Sequence, residues 1–192
     1  MERGLRWFII GSVAIGLLSA VLSALLSETP VISLISLLKY FTIWSNIFVI
    51  LYFLLMNKKL RLVAWLKGSV YVNITLTMIV FVGVLSFVYH PRGLDLVTSF
   101  MHHYVVPVAA LLYLFFYESE QDISLSRFKV WIIFPVIYLS FSLIYYVWTF
   151  DAIYPFMDVR QIGVFLYLLT LLGMIIMYYA LSFGLVKIVS RK

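Results

Sequence analysis

The stretch VWIIFPVIYLSFSLIYYVWTF, from Val130 to Phe150, runs for 21 residues without an Asp, Glu, Lys or Arg. Apolar side chains fall on every face of it from Val130 to Ile144, without the alternation of a half-buried or barrel strand. At ~1.5 Å per residue a helix of this length rises about 30 Å, the thickness of a bilayer's hydrocarbon layer. A transmembrane α-helix is the direct reading. Five further charge-free runs, at 7–27, 40–57, 68–91, 96–117 and 161–186, have lengths of 21, 18, 24, 22 and 26 residues. Together they predict an all-α integral membrane protein, a bundle of six transmembrane helices forming a single domain over 1–192.

Composition points the same way. Of the 192 residues, 65% are hydrophobic and 11% charged, and the mean hydropathy is +1.09. Soluble domains run near half apolar and a quarter charged, so a soluble globular enzyme is excluded. The 14 Lys and Arg against 8 Asp and Glu give a formal charge of +6. In such a chain that bias concerns orientation in a membrane, and no nucleic-acid partner is expected. Cysteine is absent, which excludes disulfides, thiolate zinc sites and cysteine nucleophiles. Neither a G-x-x-x-x-G-K-[ST] nor a G-x-G-x-x-G loop occurs, and no cofactor is expected. The connecting segments are short, without an interdomain linker or an internal repeat.

The first run follows Arg3 and Arg6 and carries the small residues Ser19, Ala20, Ser23 and Ala24, as a cleaved signal peptide would. Its 21 apolar residues exceed a signal core, so a retained helix is the preferred reading. Basic residues accumulate on the cytoplasmic side of membranes. Eleven of the fourteen (Arg3, Arg6, Lys58, Lys59, Arg61, Lys67, Arg127, Lys129, Lys187, Arg191 and Lys192) fall in the termini and alternate loops, and Lys39, Arg92 and Arg160 in the other set. Both termini are therefore expected in the cytoplasm, with the loops near 28–39, 90–96 and 151–160 on the outer face.

Polar groups inside a span need a partner or a function. Thr42, Ser45 and Asn46 stand at i, i+3 and i+4 on one helical face. With the helix starting near Leu38, Thr42 is expected about 6 Å below the outer boundary. His102 and His103 open the fourth span at a matching depth, and a hydroxyl with an imidazole can act as nucleophile and base. The two rings project about 100° apart, so one of them is expected to face Thr42. The outer loop adds Tyr154, Pro155, Phe156 and Asp158 on the same side. The competing reading is packing: Ser and Thr satisfy themselves on an i−4 carbonyl, Asn bonds across helices, and histidines sit at membrane interfaces.

A metal site is disfavoured, since only His90, His102 and His103 are available, with Asp95 or Asp158 as the missing ligand. The sequon Asn73-Ile74-Thr75 lies within the third span, where no glycan fits. Trp7, Tyr52, Trp65, Tyr89, Tyr104, Tyr113, Trp131, Tyr146 and Trp148 read as an interfacial belt. Pro107 and Pro135 predict a kink in spans four and five, the first opening a pocket after His103. Glu118, Glu120 and Asp122 read as a solvated cytoplasmic turn. No Asp, Glu, Lys or Arg is expected within a span, where transporters hold ionisable groups.

Three segments, Lys39-Tyr-Phe-Thr-Ile-Trp-Ser-Asn46, His102-His-Tyr-Val-Val-Pro107 and Tyr154-Pro-Phe-Met-Asp158, together resemble the androgen-induced-gene family of membrane proteins and its prokaryotic six-span relatives. The resemblance spans the chain in order and spacing. It implies a membrane-embedded threonine hydrolase of lipid esters, such as branched fatty-acid esters of hydroxy fatty acids. Thr42 would be the nucleophile and a fourth-span histidine its partner. His103 matches the H-Y-V-V-P form of prokaryotic relatives, while the animal motif's spacing to proline fits His102, so both registers stay open. Oxyanion donors would come from Ser45, Asn46 or Tyr154, and Asp158 is the carboxylate that would orient the histidine, unless the dyad works without an acid. The expected setting is the plasma membrane of a bacterium, with a lipid or lipid ester as partner and a second copy of the chain left open. The alternative is a non-catalytic lipid-binding, small-molecule transport or accessory membrane protein.

Overall fold

Length and apolar composition are met by helices that could each cross a bilayer. A computed structural model of the chain describes residues 1–58, 61–118 and 123–190, with the side chains of all of these but 61–65 and 125. Lys59, Glu120, Asp122, Arg191 and Lys192, and the side chains of Arg61 and Trp65, lie outside the described residues. Among the described residues every element is helical and no strand occurs. They are α1 (Glu2–Leu25), α2 (Pro30–Leu37), α3 (Phe41–Leu55), α4 (Arg61–Gly83), α5 (Leu94–Phe100), α6 (Val106–Tyr117), α7 (Phe128–Trp131), α8 (Ile133–Thr149) and α9 (Val159–Val189). Five stretches are long and apolar enough to cross a membrane: Glu2–Leu25, Leu66–Phe87, Leu94–Tyr117, Phe128–Thr149 and Val159–Val189. A sixth exists if α2 and α3, bent by 68° at their junction, count as one span. The chain is a multi-pass membrane protein.

That bend corrects the expected straight second span. α3 has only 15 residues and begins at Phe41, so Thr42 stands in its first turn. Pro30 opens α2, and Tyr40 takes an extended conformation (φ −88°, ψ 128°) that interrupts the helix. In an apolar setting the groups freed by a break must find protein partners. Three aromatic side chains supply them here. Trp44 Nε1 donates to Leu38 O at 2.7 Å, Tyr138 Oη to Lys39 O at 2.8 Å, and Phe41 N donates to Tyr154 Oη at 3.1 Å.

The core lies where α1, α3, α4 and α6 meet, around Ile9, Val13, Val49, Phe53, Tyr71 and Ala110. α8 and α9 bury a far smaller share of their surface. Their apolar side chains, Phe165 and Trp148 among them, face outward as lipid-bathed residues do.

The two proline expectations resolve differently. Pro107 has no N–H for the carbonyl of His103, and the preceding turn, Met101–Val105, widens into a π-helix, so α5 and α6 run on as one span with a local bulge. Pro135 likewise leaves the Trp131 carbonyl without its ladder donor, and the helix breaks at Ile132, between α7 and α8. Tyr178 Oη, at 2.6 Å, and Ser69 Oγ, at 3.3 Å, donate to Trp131 O instead. Gly68 lets the Trp131 indole lie flush against α4.

Other expectations are corrected at the end of the bundle where α1 begins and α9 ends. Tyr52, Tyr113 and Trp131 are buried in the core and are no part of an interfacial belt. Glu118 is buried, not solvated. It accepts from Tyr52 Oη at 2.6 Å and Tyr71 Oη at 2.8 Å and pairs with Lys67. Lys67 belongs to α4 within a candidate span, so that span is not free of charge. Apolar runs bounded by charges hide such a pair, because Lys67 and Glu118 are the bounding residues. Asn73 is fully buried and donates to Ser69 Oγ, which leaves no room for a glycan.

Candidate active site

The first turn of α3 and the π-turn before α6 face each other at the opposite end of the bundle. Thr42 Oγ1 lies 3.2 Å from His103 Nε2. On the far side of the imidazole, Nδ1 is 3.0 Å from the Ser99 carbonyl and 3.3 Å from Ser99 Oγ. A carbonyl only accepts, so Nδ1 carries the proton, Nε2 holds the lone pair, and the Thr42 hydroxyl donates to it. This is the polarity that removal of the threonine proton requires. Phe81 stacks on the ring, with centroids 3.8 Å apart and planes 13° from parallel, and fixes its orientation.

His102 turns the other way. It is fully buried against α1, neither ring nitrogen makes a hydrogen bond, and Gly16 gives it space: a Cβ there would stand 2.4 Å from Nε2. The geometry pairs Thr42 with His103 and not with His102. Ser45 and Asn46 face the inside of α3. Ser45 Oγ lies 3.0 Å from Thr42 O and 2.9 Å from Thr77 Oγ1, and Asn46 Nδ2 donates to the same Thr42 carbonyl at 2.9 Å. They brace the carbonyl of Thr42 and do not approach its hydroxyl, which is the packing role that short polar residues take in helices.

Tyr154 is at the site. Its ring is partly exposed while its hydroxyl points inward, with the Phe41 N–H, Tyr138 and Thr42 as polar neighbours. Burial pushes this hydroxyl above the ordinary phenol value, so it stays a proton donor at neutral pH. Asp158 is not the orienting acid. It caps the N-terminus of α9, accepting from Arg160 N at 3.0 Å, with Tyr146 Oη at 3.4 Å and the Arg160 guanidinium alongside. The Ser99 carbonyl holds His103 in its place.

Two cavities meet at Thr42. One, of about 580 Å³, opens between α1, α2, α5 and the Tyr154 loop, and both histidines reach its wall. The other, of about 80 Å³, is almost wholly apolar and runs between α4, α8 and α9 past Leu76, Val80, Pro135, Leu139 and Met174. Thr42, Leu85 and Tyr154 line both. Among the described residues no three His, Asp or Glu side chains gather as a metal would need.

Ser99 and Phe81 are the site residues that sequence reasoning misses. Ser99 stands four residues before His103, a spacing that places it beneath the ring and is its one sign in the sequence. Phe81 comes from another helix and carries no local signal. No family model, no curated protein and no solved structure matches the chain.

Proposed function

We propose that the protein is an intramembrane hydrolase of lipid acyl esters, with Thr42 as nucleophile and His103 as general base. The 3.2 Å contact between Thr42 Oγ1 and a His103 nitrogen whose lone pair is set by Ser99 carries this reading. Thr42 Oγ attacks the ester carbonyl carbon while its proton passes to His103 Nε2. Collapse of the tetrahedral intermediate expels the alcohol, which takes that proton. Water then attacks the acyl-threonine, with His103 again as base, and releases the fatty acid. The oxyanion finds donors in the Tyr154 hydroxyl and the first-turn N–H of Thr42, at the positive end of the α3 dipole. The similarity of the three sequence segments to the androgen-induced-gene family supports the same chemistry and offers branched fatty-acid esters of hydroxy fatty acids as first substrates. The basic residues support an orientation with both termini in the cytoplasm and the site at the outer face of a bacterial plasma membrane.

The test is hydrolysis of a branched fatty-acid ester and of a p-nitrophenyl ester by purified protein in detergent. Thr42→Ala and His103→Ala are each expected to lower kcat by about 10³-fold or more, with His102→Ala far milder. Undiminished turnover in folded Thr42→Ala protein would overturn the assignment, and an inactive wild type would favour a lipid-binding role.

A further inference from the structure

The two cavities that meet at Thr42 differ in chemistry, and an ester bound across the nucleophile must place one half in each. The narrow one offers aliphatic and aromatic walls and leads between α8 and α9, the helices with most outward-facing apolar surface, so it suits an acyl chain that continues into lipid. The wider one falls within the size of small-molecule sites, ≈ 300–1,000 Å³. Its wall carries the hydroxyls of Ser23, Ser27, Ser33, Ser36 and Thr98 and one carboxylate, Asp95, with no Lys or Arg among its described lining residues. Of the three basic side chains at this end, Arg92 is exposed and is not among the lining residues, and the other two are engaged elsewhere. Lys39 lies over the rings of Tyr40 and Tyr145, at 5.4 and 5.7 Å, and Arg160 lies against Tyr146 and Asp158. Ser27 and Thr98 donate to the Ala24 and Gly16 carbonyls and can only accept from a ligand, Ser23, Ser33 and Ser36 can do both, and a carboxylate accepts twice over, which matches a polyol. The same carboxylate repels an anion, and nothing on this wall neutralises one.

We infer that the preferred substrate is a single-chain acyl ester of an uncharged polyol, of the monoacylglycerol kind, and not an ester whose alcohol half bears a carboxylate or phosphate. The inference rests on the Thr42–His103 hydrolase reading and orders its substrates differently from the family resemblance. The bond broken joins the acyl carbon to the polyol oxygen. That oxygen leaves with the proton from His103, and water supplies the hydroxyl of the fatty acid.

The experiment compares kcat/KM for a 1-monoacylglycerol and for a branched ester of a hydroxy fatty acid with the same acyl chain, in one mixed micelle, for wild type, Asp95→Asn and Asp95→Lys. Asp95 is exposed and outside the dyad, so these variants retain the fold. Wild type is expected to favour the glycerol ester by about tenfold or more, and Asp95→Lys to reduce that ratio by about tenfold. A branched ester cleaved as fast as the glycerol ester, or a ratio indifferent to Asp95→Lys, would overturn the inference while leaving the hydrolase intact. Failure of wild type on every ester, the p-nitrophenyl ester included, would instead remove the hydrolase reading. Thermal stabilisation of the protein by a non-cleavable 1-alkylglycerol ether, against the hydroxy fatty acid, then decides the occupant. A stronger effect of the ether supports the polyol site, and an equal or weaker one overturns it.

Discussion

Glu118→Gln should be among the most damaging conservative substitutions in this chain. The carboxylate ends α6, where the helix dipole disfavours negative charge, and it is 4% exposed. Its stability depends on Lys67 at one oxygen and the Tyr52 and Tyr71 hydroxyls at the other, groups delivered by α4 and α3. Glutamine keeps the shape and still accepts from both phenols, but it removes the charge and turns an NH₂ donor towards the Lys67 ammonium. Charge-assisted hydrogen bonds contribute about 1.5–3 kcal/mol each, and removal of one member of a buried pair costs about 3–5 kcal/mol. At roughly 2–4 °C per kcal/mol for a chain of this size, the midpoint should fall by about 6–20 °C. The assay is thermal unfolding in detergent, followed by tryptophan fluorescence, on wild type, Glu118→Gln, Lys67→Met and the double variant. The double variant should recover most of the loss, because it removes the charge mismatch that each single change creates. A Glu118→Gln midpoint within about 2 °C of wild type, or losses that simply add in the double variant, would refute the reasoning.

Three further outcomes follow from the geometry. Tyr154→Phe removes the acceptor for the Phe41 N–H and a donor beside Thr42, so kcat should fall about 10²-fold with little change in KM, as loss of one oxyanion donor does; an unchanged kcat would remove Tyr154 from the chemistry. Gly16→Ala brings a Cβ within 2.4 Å of His102 Nε2, so the ring must move and carry the adjoining π-turn with it. Ester turnover should fall by about tenfold or more, with partial recovery in Gly16→Ala/His102→Ala, and no recovery there would mean that the clash is not the cause. Gly68→Ala sets a Cβ 2.1 Å from the Trp131 ring, and unfolding in detergent should register an overpacking cost of about 1–3 kcal/mol, whereas no shift would mean that the indole has another position to adopt.

Charge-free runs of bilayer length made most of the helices legible, since a span needs little beyond apolar composition and length. They concealed how a span is interrupted. The 40–57 run reads as one continuous helix, yet α3 starts at Phe41 after an extended Tyr40, because Trp44, Tyr138 and Tyr154 make the break stable from three separate places in the chain. Thr42 and His103 could be proposed as neighbours because equal depth on adjacent helices is a property of sequence position. What turns His103 towards Thr42 and His102 away from it is the π-turn, and no hydrophobic period encodes it; Pro107 only marks that the ladder is disturbed nearby. Asp158 shares the outer loop with the site, but a residue just before a long helix is held by the first-turn N–H groups, as its bond from Arg160 N shows.

The proposed dyad, in so apolar a chain, must meet two requirements at once: a nucleophile at the start of a helix and a base oriented without a desolvated charge. Local departures from regular helix serve both, while Asn46 Oδ1 and the His102 ring nitrogens nearby stay without a hydrogen-bond partner. The break before α3 brings Thr42 to a helix start, where first-turn N–H groups lack intrahelical acceptors and the dipole favours negative charge. The Met101–Val105 π-turn lets the Ser99 carbonyl meet His103 Nδ1, so the imidazole is oriented by backbone and needs no buried carboxylate. A carboxylate in that position would have to be desolvated within the bundle, and the one place where this chain does bury such a group, Glu118, takes a lysine and two tyrosines to hold it. Orientation of the base by a carbonyl avoids that requirement. It follows that changing the Ser99 side chain should matter less than changing the turn itself: Ser99→Ala keeps the carbonyl at 3.0 Å and should retain most turnover, whereas Pro107→Ala restores a donor to the His103 carbonyl, favours regular α-helix and should rotate the imidazole away from Thr42. Equal activity in the two variants would mean that the π-turn does not position the base.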